Sequence, residues 1–226
     1  MFSQMLEKLW AGGVLQLGVW ETIYMVALST VFSYLIGLPL GMVLSVTDDA
    51  GIHPVRWLNR TLGVIVNVFR SIPFVILMVA MLPVAKAVVG TSLGNKAMIV
   101  MLIIAAAPYI ARMVESSIKE VDAGVIEAAR AMGTSTFQLV YKVLIPEAKP
   151  SLIIGAVISM VTILGYSAMA GTIGGGGLGQ IAITFGYQRS NDDVIWLCVI
   201  ITILIVQVIQ EVGMRIARRC DKRLSK

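Results

Sequence analysis

The chain has 226 residues, of which 58% are hydrophobic and 14% are charged. Soluble domains are about a quarter charged, so the composition excludes an ordinary soluble domain and indicates an integral membrane protein. The net charge of +5 could indicate nucleic-acid binding, but the distribution of the charges along the chain favours membrane topology as its explanation.

Uncharged runs locate the predicted membrane spans. They cover residues 22–47, 71–85, 97–111, 150–188 and 194–210. A spanning helix needs about 20 apolar residues, and the two shorter runs can span if the charges at their ends reach the interfaces. Glycines at 174–177 divide the longest run and leave one span in it. The sequence predicts a single all-α membrane domain over residues 1–226, with five spans at about 20–46, 64–88, 94–114, 151–173 and 193–214.

The positive charges are divided unevenly between the two sides of such a protein. One side holds 14 of them: Arg56, Arg60, Arg70, Arg112, Lys119, Arg130, Lys142, Lys149, Arg215, Arg218, Arg219, Lys222, Arg223 and Lys226. The other side holds four: Lys8, Lys86, Lys96 and Arg189. Cytoplasmic loops are enriched in Lys and Arg. We therefore expect the N-terminus outside, and the C-terminus and loop 115–149 in the cytoplasm.

The first two spans carry residues that are unusual in lipid. Gly37, Pro39 and Gly41 lie inside the first span, where proline and glycine kink a helix or allow close packing. Arg70 opens the second span. We expect it at the cytoplasmic interface, because an unpaired charge at mid-bilayer is costly. If its helix began at Asn59, Arg70 would lie about 15 Å deep.

The fourth span is rich in small and hydroxyl side chains, namely Ser151, Gly155, Ser159, Thr162, Gly165, Ser167, Ala168, Ala170 and Gly171. Such residues let helices pack closely and bond to one another in lipid, which is one explanation of this composition. The other is that part of this face lines a pathway between two copies of the chain. Five helices are a thin wall for a pore, so a dimer with the path on its two-fold axis is expected.

Motifs for catalysis or cofactor binding are not found in this sequence. Gly174, Gly176 and Gly179 match G-x-G-x-x-G, but a dinucleotide site needs a strand before the motif and a helix after it in a soluble unit. We interpret these glycines as a tight external turn. The sequence contains no P-loop, no catalytic triad, no paired carboxylates and no metal-ligand spacing. We expect no enzyme activity, bound cofactor or metal in this chain.

The largest polar segment carries the most informative motif. Residues 127–133 read Glu-Ala-Ala-Arg-Ala-Met-Gly, and residues 143–146 read Val-Leu-Ile-Pro. A helix here would expose Ala128 and Ala129 side by side and end at Gly133, so that another protein could approach its backbone closely. The simpler interpretation is a connecting helix with a glycine stop. The pattern resembles the EAA loop of ABC importer permeases, in which the permease docks on its ATPase. Val143 and Ile145 stand where the family usually has Ile and Leu.

The chain resembles the methionine-importer branch of ABC permeases over nearly its whole length. The resemblance rests on segments 69–74, 106–115, 127–133, 146–148, 165–169 and 174–180. Segment 165–169, Gly-Tyr-Ser-Ala-Met, is the one that indicates methionine. The resemblance implies a type I ABC importer permease in the bacterial inner (plasma) membrane.

Such a permease is a homodimer of five-helix subunits that transports methionine, in both the D and L forms. Its implied partners are two copies of a cytoplasmic ABC ATPase, which bind ATP and Mg, an external substrate-binding lipoprotein and membrane lipids, with no nucleic acid. The implied coupling residues are Glu127, Ala128, Ala129, Arg130, Met132, Gly133 and Pro146. We place Tyr166, Ser167 and Met169 on the translocation path.

Three alternatives remain open from the sequence. A secondary transporter or channel usually places ionisable groups in mid-membrane, and the fourth and fifth predicted spans carry none. A non-transporting scaffold would not need the spacing between the motif at 127–133 and Pro146. Within the ABC permeases, the solute could be another amino acid or a small polar molecule, because the external binding protein sets much of the specificity.

Overall fold

The computed structural model describes residues 11–220, and within that range the chain is helical with no β-strand. The helices are α1 (Val14–Thr47), α2 (Arg56–Ser71), α3 (Phe74–Ala80), α4 (Leu82–Val89), α5 (Asn95–Lys119), α6 (Ala123–Ala131), α7 (Thr136–Leu139), α8 (Ile145–Ala170), α9 (Leu178–Ile181) and α10 (Asp192–Cys220). The predicted all-α fold is confirmed. Four of the positive charges on which the predicted orientation depends lie outside the described residues, namely Lys8, Lys222, Arg223 and Lys226.

Four helical segments of the described chain are long and apolar enough to cross a membrane. They are α1, α5, α10 and the continuous stretch Thr136–Ile173, which contains α8. A fifth span is obtained if α2 and α3 together form one bent span. The second predicted span, 64–88, is therefore not one helix. Helix α2 ends at Ser71 and α3 begins after Pro73, because proline lacks an N–H and its ring opposes a continuous helix at the preceding residue.

The predicted cytoplasmic loop 115–149 is largely helical. It contains the end of α5, all of α6 and α7, and the first residues of α8. A widened π-helical turn, Val140–Leu144, joins α7 to α8. It precedes Pro146, which cannot donate the usual backbone hydrogen bond, and such a turn is a known response to a break in the ladder. Helix α8, which contains the fourth predicted span, therefore begins inside this loop. The sequence predicted that this span would start near residue 151.

Contacts within the chain group it into two compact units. One contains the described chain up to Phe32, with Ile72–Ala106 and Met160–Ile209, and the other contains Ser33–Ser71, Ala107–Ser159 and the described chain from Gln210. A methionine-rich core in the first unit includes Met25, Met78, Met98 and Met101. Flexible thioether side chains fill irregular gaps between helices of this kind.

In the first unit, the glycines at 174–177 form a turn around the carboxylate of Glu21. Gly177 N–H donates to Glu21 Oε2 at 2.8 Å, and Gly176 N–H donates to Asn95 Oδ1 at 2.8 Å. A side chain at Gly176 would collide with both of these acceptors. Gly174 and Gly177 have φ of +89°, a conformation that glycine adopts without strain. The G-x-G-x-x-G pattern therefore serves a tight, internally bonded turn, as the sequence predicts.

In the second unit, α1 and α5 approach each other closely. A Cβ atom at Gly37 would meet the Ile110 side chain at 2.7 Å, and one at Gly41 would meet the Ala111 carbonyl oxygen. Leu44 and Val66 form a buried cluster with Ala111, which brings α2 against both helices. The two glycines, one turn apart, thus allow the close packing expected of small residues in membrane helices.

Candidate functional site

The motif at 127–133 lies on a short helix with well-defined ends. Asp122 caps α6 by accepting a hydrogen bond from Gly124 N–H at 2.7 Å. Gly133 follows the helix with φ of +77°, the left-handed conformation that ends many helices. Ser135 and Gln138 form a reciprocal capping box that starts α7. Side-chain caps at these boundaries hold the segment in one conformation and present the same faces to any partner.

The two alanines of the motif face opposite environments. Ala129 is only 3% exposed, whereas Ala128 is exposed. The expectation that both are exposed is therefore wrong for Ala129, because neighbouring residues on a helix point about 100° apart. Ala128 instead shares its exposed face with Gly124 and Ala131, four residues before and three after. This Gly124–Ala128–Ala131 face has almost no side-chain bulk, so another backbone could approach α6 there.

Charged groups attach α6 and the end of α5 to the loop between α1 and α2. Arg130 Nη2 donates to the Ile52 carbonyl oxygen at 2.6 Å. At the start of that loop, Asp48 accepts from Lys119 Nζ at 2.8 Å. This hydrogen bond from Lys119 holds the pKa of Asp48 below its ordinary value. A groove of about 500 Å³ lies among these elements and includes Glu127 in its lining.

Lys119 also belongs to a wider polar network at the end of α5. Its Nζ lies 2.9 Å from Glu115 Oε1, and the other Glu115 oxygen accepts from Arg112 Nη1 at 2.6 Å. Glu115 is buried, and a buried carboxylate needs such partners. The sequence does not predict this network, because Asp48 and Lys119 are 71 residues apart and neither belongs to a recognised motif.

Exposed apolar side chains lie on both sides of the glycine of the motif. Met132 and Phe137 are each 78% exposed, and Tyr141 is 66% exposed. The rings of Phe137 and Tyr141 lie parallel within 6°, with centroids 6.5 Å apart. Pro146 and Glu127 are exposed as well. Large apolar side chains exposed on a polar surface typically mark an interaction site, and Met132, Phe137 and Tyr141 lie next to the Gly124–Ala128–Ala131 face in sequence.

The three residues predicted to line a path have different surroundings. Met169 is exposed on α8, together with Gly165 and Ala168. Tyr166 is half-buried and stacks on Phe74 with ring centroids 4.4 Å apart. Ser167 is buried and its hydroxyl donates to the Leu164 carbonyl oxygen at 2.7 Å. The structure thus brings Met169 to an open helix face and turns Ser167 towards the interior of its unit.

Arg70 lies near the far end of α2. The helix begins at Arg56, so Arg70 lies about 21 Å along it at 1.5 Å per residue. The side chain is exposed and makes no ion pair within residues 11–220. In the same range, no group of three or more His, Cys, Asp and Glu side chains is arranged to hold a metal ion.

Comparisons with known proteins agree on one family. The sequence profile of the family described as "Binding-protein-dependent transport system inner membrane component" matches residues 37–226. The "Probable D-methionine transport system permease protein MetI" of Vibrio cholerae is 46% identical over 90% of this chain and 91% of its own length. The "D-methionine transport system permease protein MetI" of Escherichia coli K12 is 52% identical over 68% of this chain and 71% of its own length.

Solved structures give the same result for the fold. A chain of the inward-facing MetNI methionine ABC transporter superposes with a TM-score of 0.91 at 47% identity, covering 92% of this chain and 97% of that one. An amino acid ABC transporter crystallised with histidines has the same fold, with a TM-score of 0.79 at 19% identity, covering 97% of this chain and 98% of that one. The family profile, the relatives and the fold agree, and we conclude that the chain belongs to the family of binding-protein-dependent transport system inner membrane components.

Proposed function

We propose that this chain is the permease subunit of an ATP-driven importer and forms the path for methionine in its D and L forms. The observation that carries the proposal is the open Gly124–Ala128–Ala131 face on the EAA-type helix of a family member. The substrate follows from the 46% and 52% identities to permeases named for D-methionine transport. The complex would contain two copies of this chain, two cytoplasmic ATPases and an external binding lipoprotein.

The coupling mechanism follows from the geometry of α6. The ATPases bind ATP and Mg, and this chain contributes the contact that senses their closure. A partner backbone can reach the Gly124–Ala128–Ala131 face, while Met132 and Phe137 supply apolar anchors beside it. Arg130 attaches α6 to the loop that follows α1, and the Asp48–Lys119 pair joins the end of α1 to the end of α5. A displacement of α6 is therefore passed to these helices, because packed helices move as rigid bodies.

The path in this proposal lies between two copies of the chain. The exposed side of α8 carries Gly165, Ala168 and Met169, an uncharged and mostly small surface. A zwitterion with an apolar side chain needs such a wall if it is to pass without being held tightly. Met169 can adapt its packing as a gate opens, because thioether side chains are flexible. Tyr166 adds a polar group beside it.

Uptake measurements test the substrate assignment. In proteoliposomes that contain the chain with its ATPase and binding protein, we expect ATP-dependent uptake of labelled D- and L-methionine. Uptake of the other amino acids in a panel should be at least about tenfold slower. Preferred uptake of a different amino acid or a small polar solute would replace methionine and leave the permease assignment intact. Uptake that needs neither ATP nor the ATPase would contradict the proposal.

Accessibility of introduced cysteines tests the orientation. In a background with Cys198→Ala and Cys220→Ser, Thr136→Cys should react with an impermeant thiol reagent only from the cytoplasm. Ser190→Cys should react only from outside. The reason is the division of Lys and Arg between the two sides, and both positions are exposed. Thr136 is preferred to the neighbouring Ser135, whose hydroxyl caps α7. Labelling of Thr136→Cys in intact cells would overturn the orientation.

A further inference from the structure

Helix α2 carries a continuous polar stripe on its surface. The stripe consists of Arg56, Arg60, Gly63, Asn67, Arg70 and Ser71. At 100° per residue these six positions fall within about 100° of the helix circumference. All of them are exposed except Gly63, which is half-buried. Beside the stripe, Trp57, Val64 and Val68 form an exposed apolar face, while Leu62 and Val66 point into the protein.

The position of α2 places this stripe at membrane depth. Arg56 pairs with Asp49 just beyond the end of α1, and Asn59 Nδ2 donates to the Leu44 carbonyl oxygen at 2.7 Å. Farther along, Leu62 and Val66 join one cluster with Leu40, Leu44 and Ala111. Helix α2 therefore runs antiparallel along α1 and against α5, and both of these helices are long and apolar enough to span.

The length of the stripe distinguishes contact with lipid headgroups from contact with water or another protein surface. A stripe that meets only lipid headgroups can be about 5–8 Å long, the thickness of one interfacial layer. From Arg56 to Ser71 the stripe extends about 22 Å along α2 at 1.5 Å per residue. Headgroups can account for its first turns but not for Asn67, Arg70 and Ser71. Exposed polar groups at greater depth face water or another protein surface, because lipid cannot satisfy them.

The surroundings of the stripe form a groove with an uncompensated positive charge. The groove has a volume of about 680 Å³ and is lined by Arg56, Arg60, Asn67 and Arg112, among others. Arg56 is paired with Asp49 and Arg112 with Glu115. Arg112 Nη2 also donates to Asn67 Oδ1 at 3.0 Å. Arg60, which lines the groove, has no carboxylate partner within the described part of the chain, and neither has Arg70, which lies farther along α2 and outside this lining. A groove of this kind attracts anions and repels cations.

We propose that the polar stripe of α2 lines a water-filled vestibule of the translocation path, on the side where α2 begins. Its two uncompensated guanidinium groups favour the carboxylate end of an α-amino acid and exclude inorganic cations. The inference rests on the proposed permease function and assigns a role to α2, which that function leaves without one. It also places Arg70 in water, which removes the energetic cost of a charge in lipid that favours a position at the interface.

Reactivity of two adjacent cysteines tests the vestibule. Asn67→Cys and Val68→Cys lie at the same depth, about 100° apart around α2. Both are made in the background that lacks Cys198 and Cys220, in the complex with the ATPase, in vesicles with the cytoplasmic face outward. We expect Asn67→Cys to react with charged methanethiosulfonate reagents at least about tenfold faster than Val68→Cys. Equal reactivity, or a disulfide between two Asn67→Cys copies without reagent access, would overturn the proposal.

The reaction rates of anionic and cationic reagents test the charge of the vestibule. On Asn67→Cys, an anionic reagent should react faster than a cationic one, and adding Arg60→Gln should lower that ratio about fourfold. One unit charge about 10 Å from the reacting thiol in a water-like medium changes each reaction rate about twofold, in opposite directions for the two reagents. An unchanged ratio of the two reaction rates would contradict an electropositive vestibule. Slowing of the reaction by phosphatidylglycerol in place of neutral lipid would identify a headgroup site and also count against the vestibule.

Methionine uptake by the same complex, in proteoliposomes with the binding protein outside and the ATPase and ATP inside, separates this inference from the proposed function. Normal uptake with an unreactive Asn67→Cys refutes the vestibule and leaves the permease assignment intact. A reactive Asn67→Cys in a complex that takes up a different amino acid refutes only the substrate.

Discussion

Replacing Ala128 with Glu is expected to reduce methionine uptake at least about a hundredfold while the permease keeps its abundance and thermal stability. Ala128 lies at the centre of the exposed Gly124–Ala128–Ala131 face, which we propose as the closest contact with the ATPase. A carboxylate trapped there without a partner costs about 3 kcal/mol, and each 1.4 kcal/mol is a factor of ten in affinity. Uptake by proteoliposomes and co-purification of the ATPase are the two measurements.

Two further variants separate loss of docking from loss of folding. Ala128→Ser keeps the side chain small and should reduce uptake far less than Ala128→Glu. Ala129→Glu buries its charge inside the permease, since Ala129 is 3% exposed, and should lower the yield and the Tm of the permease itself. Wild-type uptake by Ala128→Glu would show that α6 is a connector and not a docking helix.

The contrast between these alanines shows what the sequence could predict. Membrane spans are predictable because a segment in lipid must form all of its backbone hydrogen bonds internally. An apolar run of sufficient length is therefore a helix. The predicted third span, 94–114, accordingly overlaps α5 closely. The motif at 127–133 likewise predicts a helix that stops at Gly133, since the caps are local. Which alanine faces inward depends on what the helix packs against, and that information is not local.

Long-range polar contacts were the part that could not be predicted. Arg130 bonds to Ile52, 78 residues away, and Glu21 bonds to the glycine turn at Gly177, 156 residues away. Each residue by itself looks like an ordinary surface charge or a loop glycine. The break at Pro73 was missed for a different reason. Proline is tolerated inside other helices of this chain, such as α1 with Pro39 and α5 with Pro108, so its presence alone does not predict where a helix ends.

Replacing Gly41 with Ala is expected to give a permease whose Tm is several degrees below that of the Gly155→Ala variant. The added methyl group would meet the Ala111 carbonyl oxygen and the Val114 Cβ, the latter at 2.7 Å. Neither can move without shifting α5, because one is backbone and the other is the branch point of a side chain. Overpacking of this kind costs about 1–3 kcal/mol, and 1 kcal/mol corresponds to about 2–4 °C in a chain of this size.

Gly155→Ala is the matched control for this prediction. Both glycines lie inside helices, so both substitutions gain about 1 kcal/mol of helix propensity, and the difference between them isolates the collision. A Cβ at Gly155 would meet Met113 Cε at 3.6 Å, an ordinary contact, and this variant should keep or raise the Tm. Thermal unfolding of the two purified variants, in one detergent and at one protein concentration, measures the difference. Equal Tm values would mean that α1 does not need its close contact with α5, and the route by which α1 receives motion from α6 would then depend on the Arg130–Ile52 hydrogen bond.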